Sequence, residues 1–128
     1  MLRAISEIMS KKVAIIDDDK DIVDVLDMAF TGEGYSTKVA LRADETVAIA
    51  KKFKPDLIVL DVVISGKDGR VVCKELKNTP DTKNIPVVMM SAHASARSSA
   101  LEMGADCFIA KPFNLDDMLS VSRKLTAS

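Results

Sequence analysis

Four short apolar runs in this chain each end on side chains that could do chemistry. In chain order the runs are followed by two carboxylates, a third carboxylate, a hydroxyl and an ammonium: Asp17 and Asp18, Asp61, Ser91 and Lys111. If the runs are parallel strands of one sheet, these ends share one edge, where open parallel sheets bind ligands. The sequence therefore predicts one site assembled from distant parts of the chain.

The three aspartates would bring three negative charges into a small volume, at a cost that grows as water is excluded. A divalent cation would offset that charge, and carboxylate, carbonyl and water ligands favour Mg²⁺, with Mn²⁺ as the alternative. Lys111 would supply a second positive charge from another run. We therefore predict a metal site that includes Asp17, Asp18 and Asp61.

Asp61 stands alone at the end of its run, beside the predicted metal and the ammonium. A carboxylate in that setting can act as a nucleophile towards phosphorus, because the metal and Lys111 neutralise the oxygens that carry charge during phosphoryl transfer. Ser91 would donate a hydrogen bond to one phosphoryl oxygen, and Lys111 would contact another. The product would be a mixed anhydride that water can hydrolyse.

Each of these residues, taken alone, also has an ordinary structural explanation. An Asp after a strand often caps a helix or forms a turn, and a Ser or Lys at a strand end is less informative still. The joint occurrence of all four endings in one short chain is what favours a common site.

The elements that would position these residues follow from the alternation of short β-type runs with longer helical ones. Such alternation is typical of an α/β fold with a parallel sheet. Five strands are predicted near residues 12–16, 35–39, 57–60, 86–90 and 106–110. The second alternates in polarity and is expected at an edge, whereas three of the others are almost wholly apolar, as strands buried on both faces should be.

Five helices are predicted between and after these strands. The first, near residues 20–31, carries apolar residues at helical spacing, among them Val25 and Leu26, and these residues should pack against the sheet. The fourth, near residues 94–103, is rich in Ala and Ser, so its packing should be light. That helix is a candidate mobile element.

The composition is typical of one globular domain, with 128 residues, 48% of them apolar and 29% charged. A net charge of −1 gives no global attraction to nucleic acid or anionic membranes, and no apolar run approaches the roughly 20 residues that span a bilayer. Cys73 and Cys107 lack the spacing of a zinc or disulfide framework. We predict a cytoplasmic domain at residues 11–128, preceded at residues 1–10 by an N-terminal extension or a cloning remnant.

Four separated motifs occur in a fixed order along the chain. They are Asp17-Asp18-Asp19 after VAII, LIVLDVVISGKDG around Asp61, MMSAH with Ser91 and FIAKPF with Lys111. In that order they resemble the acidic cluster, phosphoacceptor segment, Ser/Thr-Ala segment and Lys-Pro segment of the receiver domains of two-component response regulators, which include the chemotaxis receivers. The resemblance covers roughly residues 11–125.

The resemblance implies a single-domain flavodoxin-like (βα)5 fold with a five-stranded parallel sheet in the order 2-1-3-4-5. It implies that Asp61 accepts a phosphoryl group from a phosphohistidine. It further implies that Asp18 binds Mg²⁺ directly, that Asp17 does so largely through water, and that Val63 supplies a backbone carbonyl. Such a domain is a phosphoacceptor switch that assists its own phosphorylation and dephosphorylation, more than an enzyme.

The resemblance also implies partners and a route for the signal. Ser91 and Phe108 match the family's switch pair: Ser91 would move to bond the phosphoryl group, and Phe108 would turn inward. The implied donor is a histidine kinase or a His-containing phosphotransfer protein, and the implied recipient is a downstream protein target or output domain, with no direct binding of nucleic acid or membrane. Helix 4, strand 5 and helix 5 form a candidate dimer surface.

Positions 63 to 65 bear on the site and on one alternative function. Ile64 and Ser65 stand where many receivers carry Met-Pro, so the loop is expected to be less rigid. Val63 stands two residues after the predicted nucleophile, where an aspartyl-nucleophile phosphohydrolase usually needs a second acid, which disfavours that class of enzyme.

Two other interpretations remain open. The chain could be the receiver of a longer regulator that carries an output domain. A flavodoxin-like cofactor binder would instead need a phosphate-cradling loop after the first strand, where this chain has Asp17-Asp18-Asp19.

Overall fold

The computed structural model describes residues 11–127, and the predicted extension at residues 1–10 lies outside them. One sheet contains five strands, numbered here along the chain: β1 (Lys12–Ile16), β2 (Ser36–Ala40), β3 (Leu57–Asp61), β4 (Val87–Ser91) and β5 (Cys107–Ala110). Their order in the sheet is 2-1-3-4-5, and every neighbouring pair is parallel. The predicted α/β architecture and strand order are confirmed.

Helices connect and follow these strands. They are α1 (Lys20–Gly32), α2 (Thr46–Phe53), α3 (Gly69–Lys77), α4 (Arg97–Glu102) and α5 (Leu115–Thr126). Between β3 and α3, a short antiparallel hairpin pairs Val63–Ile64 with Lys67–Asp68. Within residues 11–127 no helix is both long and apolar enough to cross a lipid bilayer.

Side-chain caps determine where several helices begin. The carboxylate of Asp19 accepts hydrogen bonds from the amides of Asp21 and Ile22 at the start of α1. Asn114 accepts from the amide of Asp116 at the start of α5. These contacts satisfy donors that the first helical turn leaves without a partner. Asp19, the third residue of the acidic run, is thereby engaged as a helix cap.

The core has two layers, one on each face of the sheet. The layer under α2, α3 and α4 includes Ala50, Leu76 and Ala100, and the layer under α1 and α5 includes Leu26 and Met118. All five residues of β4 are buried, with Met89 in the first layer and Met90 in the second. The central strands are therefore covered on both sides, as their apolar sequences predict.

The burial of side chains in α1 and α4 can be compared with the predictions. In α1 the buried side chains are Val23, Leu26 and Phe30, while Val25 is 47% exposed, so the prediction that Val25 faces the sheet is wrong. The region of α4 begins with a 3₁₀ turn at Ala94–Ala96, and within the helix only Ala100 is buried. The light packing predicted for α4 is confirmed.

Candidate functional site

The predicted site residues lie at one edge of the sheet. Asp61 ends β3 and is paired in register with Met90 of β4, and Ser91 ends β4. Asp17 directly follows β1, and Lys111 directly follows β5. Because all these strands are parallel, their carboxyl ends point the same way.

Lys111 joins two of the carboxylates. Its Nζ lies 2.7 Å from Oδ2 of Asp17 and 3.1 Å from Oδ1 of Asp61. Asp17 is 1% exposed and Asp61 is 6% exposed, so water screens neither charge well. The main-chain amide of Asp19 donates to the other oxygen of Asp17 at 2.9 Å. Both oxygens of Asp17 are therefore held by the protein itself.

Asp18 completes a group of three carboxylates with Asp17 and Asp61. One oxygen of each lies within 4.8 Å of the others, and Asp18 is the exposed member. Oxygen ligands lie about 2.1 Å from Mg²⁺ in octahedral geometry, which places them about 3 to 4 Å from one another. The spacing and the oxygen donors fit such an ion. One ammonium among three carboxylates also leaves the group with excess negative charge.

The shared environment changes the pKa values of Asp61 and Lys111. Burial, and next the negative charge of Asp17, raise the pKa of the Asp61 carboxyl above its ordinary value, although Lys111 acts in the opposite direction. Burial on its own would lower the pKa of the Lys111 ammonium, but the hydrogen bonds and charges of Asp17 and Asp61 raise it. A further cation beside Asp61 would favour its ionised form.

The hairpin after β3 contacts this group. The main-chain N–H of Ser65 donates to Oδ2 of Asp18 at 2.7 Å, and the Ser65 hydroxyl lies 3.4 Å from the same oxygen. Val63, the predicted carbonyl ligand, lies in the first hairpin strand with its side chain 53% exposed. At the start of α3, a Cβ on Gly69 would overlap the main-chain oxygen of Asp61, so only glycine permits this approach.

The predicted switch residues Ser91 and Phe108 are both buried. The Ser91 hydroxyl oxygen accepts a hydrogen bond from the main-chain N–H of His93 at 3.0 Å. The Phe108 ring packs in the core, and the guanidinium carbon of Arg97 lies 5.1 Å from its centroid. The ring is therefore turned inward in this structure, and Arg97, the first residue of α4, covers it.

Three contributors to this region were not anticipated from the sequence: Ser65, Gly69 and Arg70. The Arg70 guanidinium donates to Asp68 at 2.9 Å through two nitrogens and to the Ser99 hydroxyl at 2.8 Å through the third. The composition of the SGKDG segment indicates a turn. That composition does not indicate which groups the main chain of the turn will contact, nor which groups Arg70 will contact.

Comparison with known proteins identifies the family. A sequence model described as the response regulator receiver domain matches residues 13–123. The chain belongs to this family. The receiver domain of NtrX from Brucella abortus is 32% identical, with a TM-score of 0.83 over 91% of this chain and 98% of that chain. CheY4 of Vibrio cholerae, a chemotaxis response regulator, is 25% identical, with a TM-score of 0.83 over 90% of this chain and 98% of that chain.

Other receiver-containing structures show the same likeness. A two-component response regulator from Clostridium difficile is 29% identical, with a TM-score of 0.83 over 91% of this chain and 95% of that chain. A longer structure of NtrX is 32% identical, with a TM-score of 0.81, and the match covers 90% of this chain but 27% of that one. The predicted resemblance is confirmed: this is a receiver domain of two-component signalling, a signalling domain and not a classical enzyme.

Proposed function

We propose that this receiver domain accepts a phosphoryl group on Asp61 from a phosphohistidine donor, in a Mg²⁺-dependent reaction, and that phosphorylation changes its surface. The position of Lys111 carries the proposal, because its ammonium lies 2.7 Å from Asp17 and 3.1 Å from Asp61 within a group of three carboxylates. A buried carboxylate beside an ammonium and a cation site has the surroundings that phosphoryl transfer to aspartate requires.

A carboxylate oxygen of Asp61 attacks phosphorus, the bond from phosphorus to the donor's imidazole nitrogen breaks, and the imidazole takes up a proton. The product is a mixed anhydride on Asp61. Lys111 is placed to contact one phosphoryl oxygen as a point charge, and the Ser91 hydroxyl is the proposed donor to another.

The proposed metal ligands are Asp17, Asp18, Asp61 and the main-chain carbonyl of Val63, with Mn²⁺ as the alternative ion. The metal, when bound, stabilises negative charge on the phosphoryl oxygens. The residues contribute the fixed positions: Lys111 orients two of the carboxylates before any ligand arrives. Such preorganisation is what makes electrostatic stabilisation effective.

The proposed switch runs from Ser91 to α4. The Ser91 hydroxyl interacts with the amide of His93, which directly precedes the 3₁₀ turn at the start of the α4 region. Moving that hydroxyl to a phosphoryl oxygen would disturb this contact and the segment beyond it. Because α4 is lightly packed, two arrangements separated by a few kcal/mol are physically reasonable. Phe108, covered by Arg97 of α4, belongs to the same unit.

The test is phosphorylation of the purified chain by acetyl phosphate with Mg²⁺, followed by intact-mass spectrometry. We expect the wild type to gain one phosphoryl group, and Asp61→Asn to gain none. Asp116→Asn, at an exposed position in α5, is the matched control and should be modified like the wild type. Equal modification of wild type and Asp61→Asn would refute the assignment of Asp61.

The proposal extends to partners and context. The donor would be a histidine kinase or a His-containing phosphotransfer protein, and the output would be a protein target or an attached output domain in a cytoplasmic pathway. In the longer NtrX structure, where the match covers 27% of that chain, such a domain is one part of a longer protein. We propose residues 11–128 as the domain and the surface of α4, β5 and α5 as the dimer interface.

A further inference from the structure

The edge of the sheet at β2 is open. Within residues 11–127, β2 pairs with β1 alone, and the N–H of Ser36 and the carbonyl of Ala40, at its two ends, bond to residues that flank β1. Main-chain groups of successive strand residues point to opposite sides, so residues 36, 38 and 40 face β1. The N–H and C=O groups of Thr37 and Val39 therefore point outward, where an added strand could pair with them.

A groove of about 590 Å³ lies beside this edge, between β2 and α2. Its apolar lining consists of Val39, which is 40% exposed, and of Ala48, Ile49 and Phe53 from α2. When proteins bind an extended peptide as an added strand, main-chain hydrogen bonds give affinity and pockets for alternate side chains give specificity. The edge and the groove together provide both.

The charges around the groove favour an acidic partner. Lys38 of β2 and Lys52 of α2 line it, are exposed, and form no ion pair within residues 11–127. Asp44 and Glu45 also line it, but Asp44 is paired with Arg42 at 2.8 Å. Three cations therefore stand against two carboxylates. A carboxylate of a partner beside Lys38 or Lys52 would complete an ion pair.

Lys38 disfavours a second copy of this chain as the occupant. Two β2 strands paired in antiparallel fashion would bring their lysines close together, and like charges across a strand pair are destabilising. The strand sequence, STKVA, has no acidic residue to offset that repulsion. Lysine in an edge strand is one way in which proteins prevent edge-to-edge association. The same lysine attracts a strand that carries a carboxylate.

We propose that the open edge of β2 and the adjoining groove bind an extended segment of a partner protein, which adds a sixth strand to the sheet. Apolar side chains of the segment contact Ile49 and Phe53, and a carboxylate pairs with Lys38 or Lys52. This proposal goes beyond the proposed function, because it requires neither phosphorylation nor a metal. The partner would be tethered to the receiver independently of the state of Asp61.

The test is an NMR titration of the full ¹⁵N-labelled chain with a synthetic peptide, Glu-Thr-Ile-Thr-Ile-Thr-Glu, blocked at both ends. Its Glu and Ile side chains share one face in a strand, and the sequence is the same in both directions. We expect saturable shifts at the amides of Thr37 and Val39, and their absence would overturn the proposal. The peptide with Lys in place of both Glu should bind about fivefold more weakly, and equal binding would refute the preference for an acidic partner.

Val39→Pro removes one outward N–H. Proline is tolerated in an edge strand when its N–H position faces solvent, so the bonds to β1 are kept. We expect this variant to bind the Glu peptide about tenfold more weakly than Val39→Thr, which keeps the N–H and is the matched control. Unchanged amide shifts far from β2 would show that the fold is kept. Equal affinities of the two variants would overturn the added strand.

A charge reversal tests the groove without altering the strand. Lys52→Glu should weaken binding of the Glu peptide about fivefold and strengthen binding of the Lys peptide. Lys51→Glu changes the net charge equally at an exposed neighbour that does not line the groove, and it should bind like the wild type. Equal losses in the two variants would contradict the proposed contact.

Sedimentation of the chain without peptide separates the proposed partner from a second copy. Val39→Pro should sediment like the wild type. A wild-type dimer that dissociates in Val39→Pro would assign the edge to a second copy and overturn the proposal.

Discussion

At the scale of single residues, the cluster is defined by a shortage of positive charge. Asp17 and Asp61 share one ammonium, and Asp18 stands beside them. The raised pKa of Asp61 is the consequence, because burial and the neighbouring Asp17 charge oppose its ionisation more than Lys111 favours it. Without a further cation, the ionised form of Asp61 works against the folded state.

This imbalance predicts a pH dependence for the stability of the metal-free protein. A carboxyl titrates near 3.9 in the unfolded chain, so a raised pKa means that the folded protein binds the Asp61 proton more tightly. The contribution of this group to the free energy of unfolding therefore falls as pH rises from about 4 through the folded-state pKa. Asp61→Asn removes that loss and should be more stable than the wild type at neutral pH.

Urea unfolding between pH 4 and pH 8, with EDTA, measures this difference. The stability gap between Asp61→Asn and wild type should shrink towards acid pH, and Mg²⁺ should stabilise the wild type more than the variant. Asp116→Asn is again the control. A variant less stable than the wild type at neutral pH would contradict the interpretation.

Lys111 gives a second prediction at this scale. Lys111→Met leaves two buried carboxylates without their cation, which we expect to lower the free energy of unfolding by about 3 kcal/mol in EDTA. Mg²⁺ should restore part of the loss. The control is Lys20→Met, whose ion pair with Asp24 is exposed and should contribute nothing measurable. Equal losses for the two variants in urea unfolding would argue against a charge-balancing role for Lys111.

At the scale of elements, α4 is held by few contacts. It buries Ala100, leaves Leu101 43% exposed, and receives one donor of the Arg70 guanidinium at Ser99. The other Arg70 donors hold Asp68 of the hairpin. One arginine therefore connects the segment after the proposed phosphoacceptor to the helix that we propose as the moving element.

Ser99→Ala tests whether this connection holds α4 in place. Loss of a hydrogen bond to a charged group should make local opening easier, and amide hydrogen exchange in residues 97–102 should be about tenfold faster. Ser98→Ala, at an exposed position of the same helix, is the matched control. Identical exchange in the two variants, measured by mass spectrometry, would show that Arg70 does not restrain the helix.

At the scale of the whole molecule, both helical layers depend on one sheet, so we expect the domain to unfold as a single cooperative unit. Leu76 is fully buried in the layer under α3, and Tyr35, the one tyrosine in the chain, packs in the opposite layer. Leu76→Ala should lower the free energy of unfolding by about 3 kcal/mol. The fluorescence of Tyr35 and the far-UV circular dichroism should shift together in urea.

The control for this prediction is Val71→Ala, which truncates an exposed side chain of the same helix and should leave the midpoint nearly unchanged. Separate transitions for the tyrosine signal and the circular dichroism of Leu76→Ala would show that the two layers unfold independently.

The sequence was sufficient to predict the convergence of the site, because parallel strands bring their carboxyl ends to one edge and the motifs lie at those ends. It could not select the buried face of α1, since apolar residues at both Val23 and Val25 allow two faces and only the sheet decides between them. The contact between Ser65 and Asp18 could not be predicted for a different reason. Ser65 makes this contact through its main-chain N–H, which every residue except proline carries, so the side-chain sequence does not indicate it. The roles of the individual site residues remain predictions.

Two adjacent methionines, Met89 and Met90, lie near the end of β4. The two side chains face opposite layers of the core, directly before Ser91. Thioether side chains are unbranched and polarisable, so they change shape at low energetic cost where valine or isoleucine would resist. A small shift at Ser91 can therefore be taken up by rotation of methionine side chains, while β3 and its carboxylate stay where they are. We therefore expect side chains of β4 to rearrange more easily than the carboxylates of Asp17 and Asp61, which Lys111 holds in place.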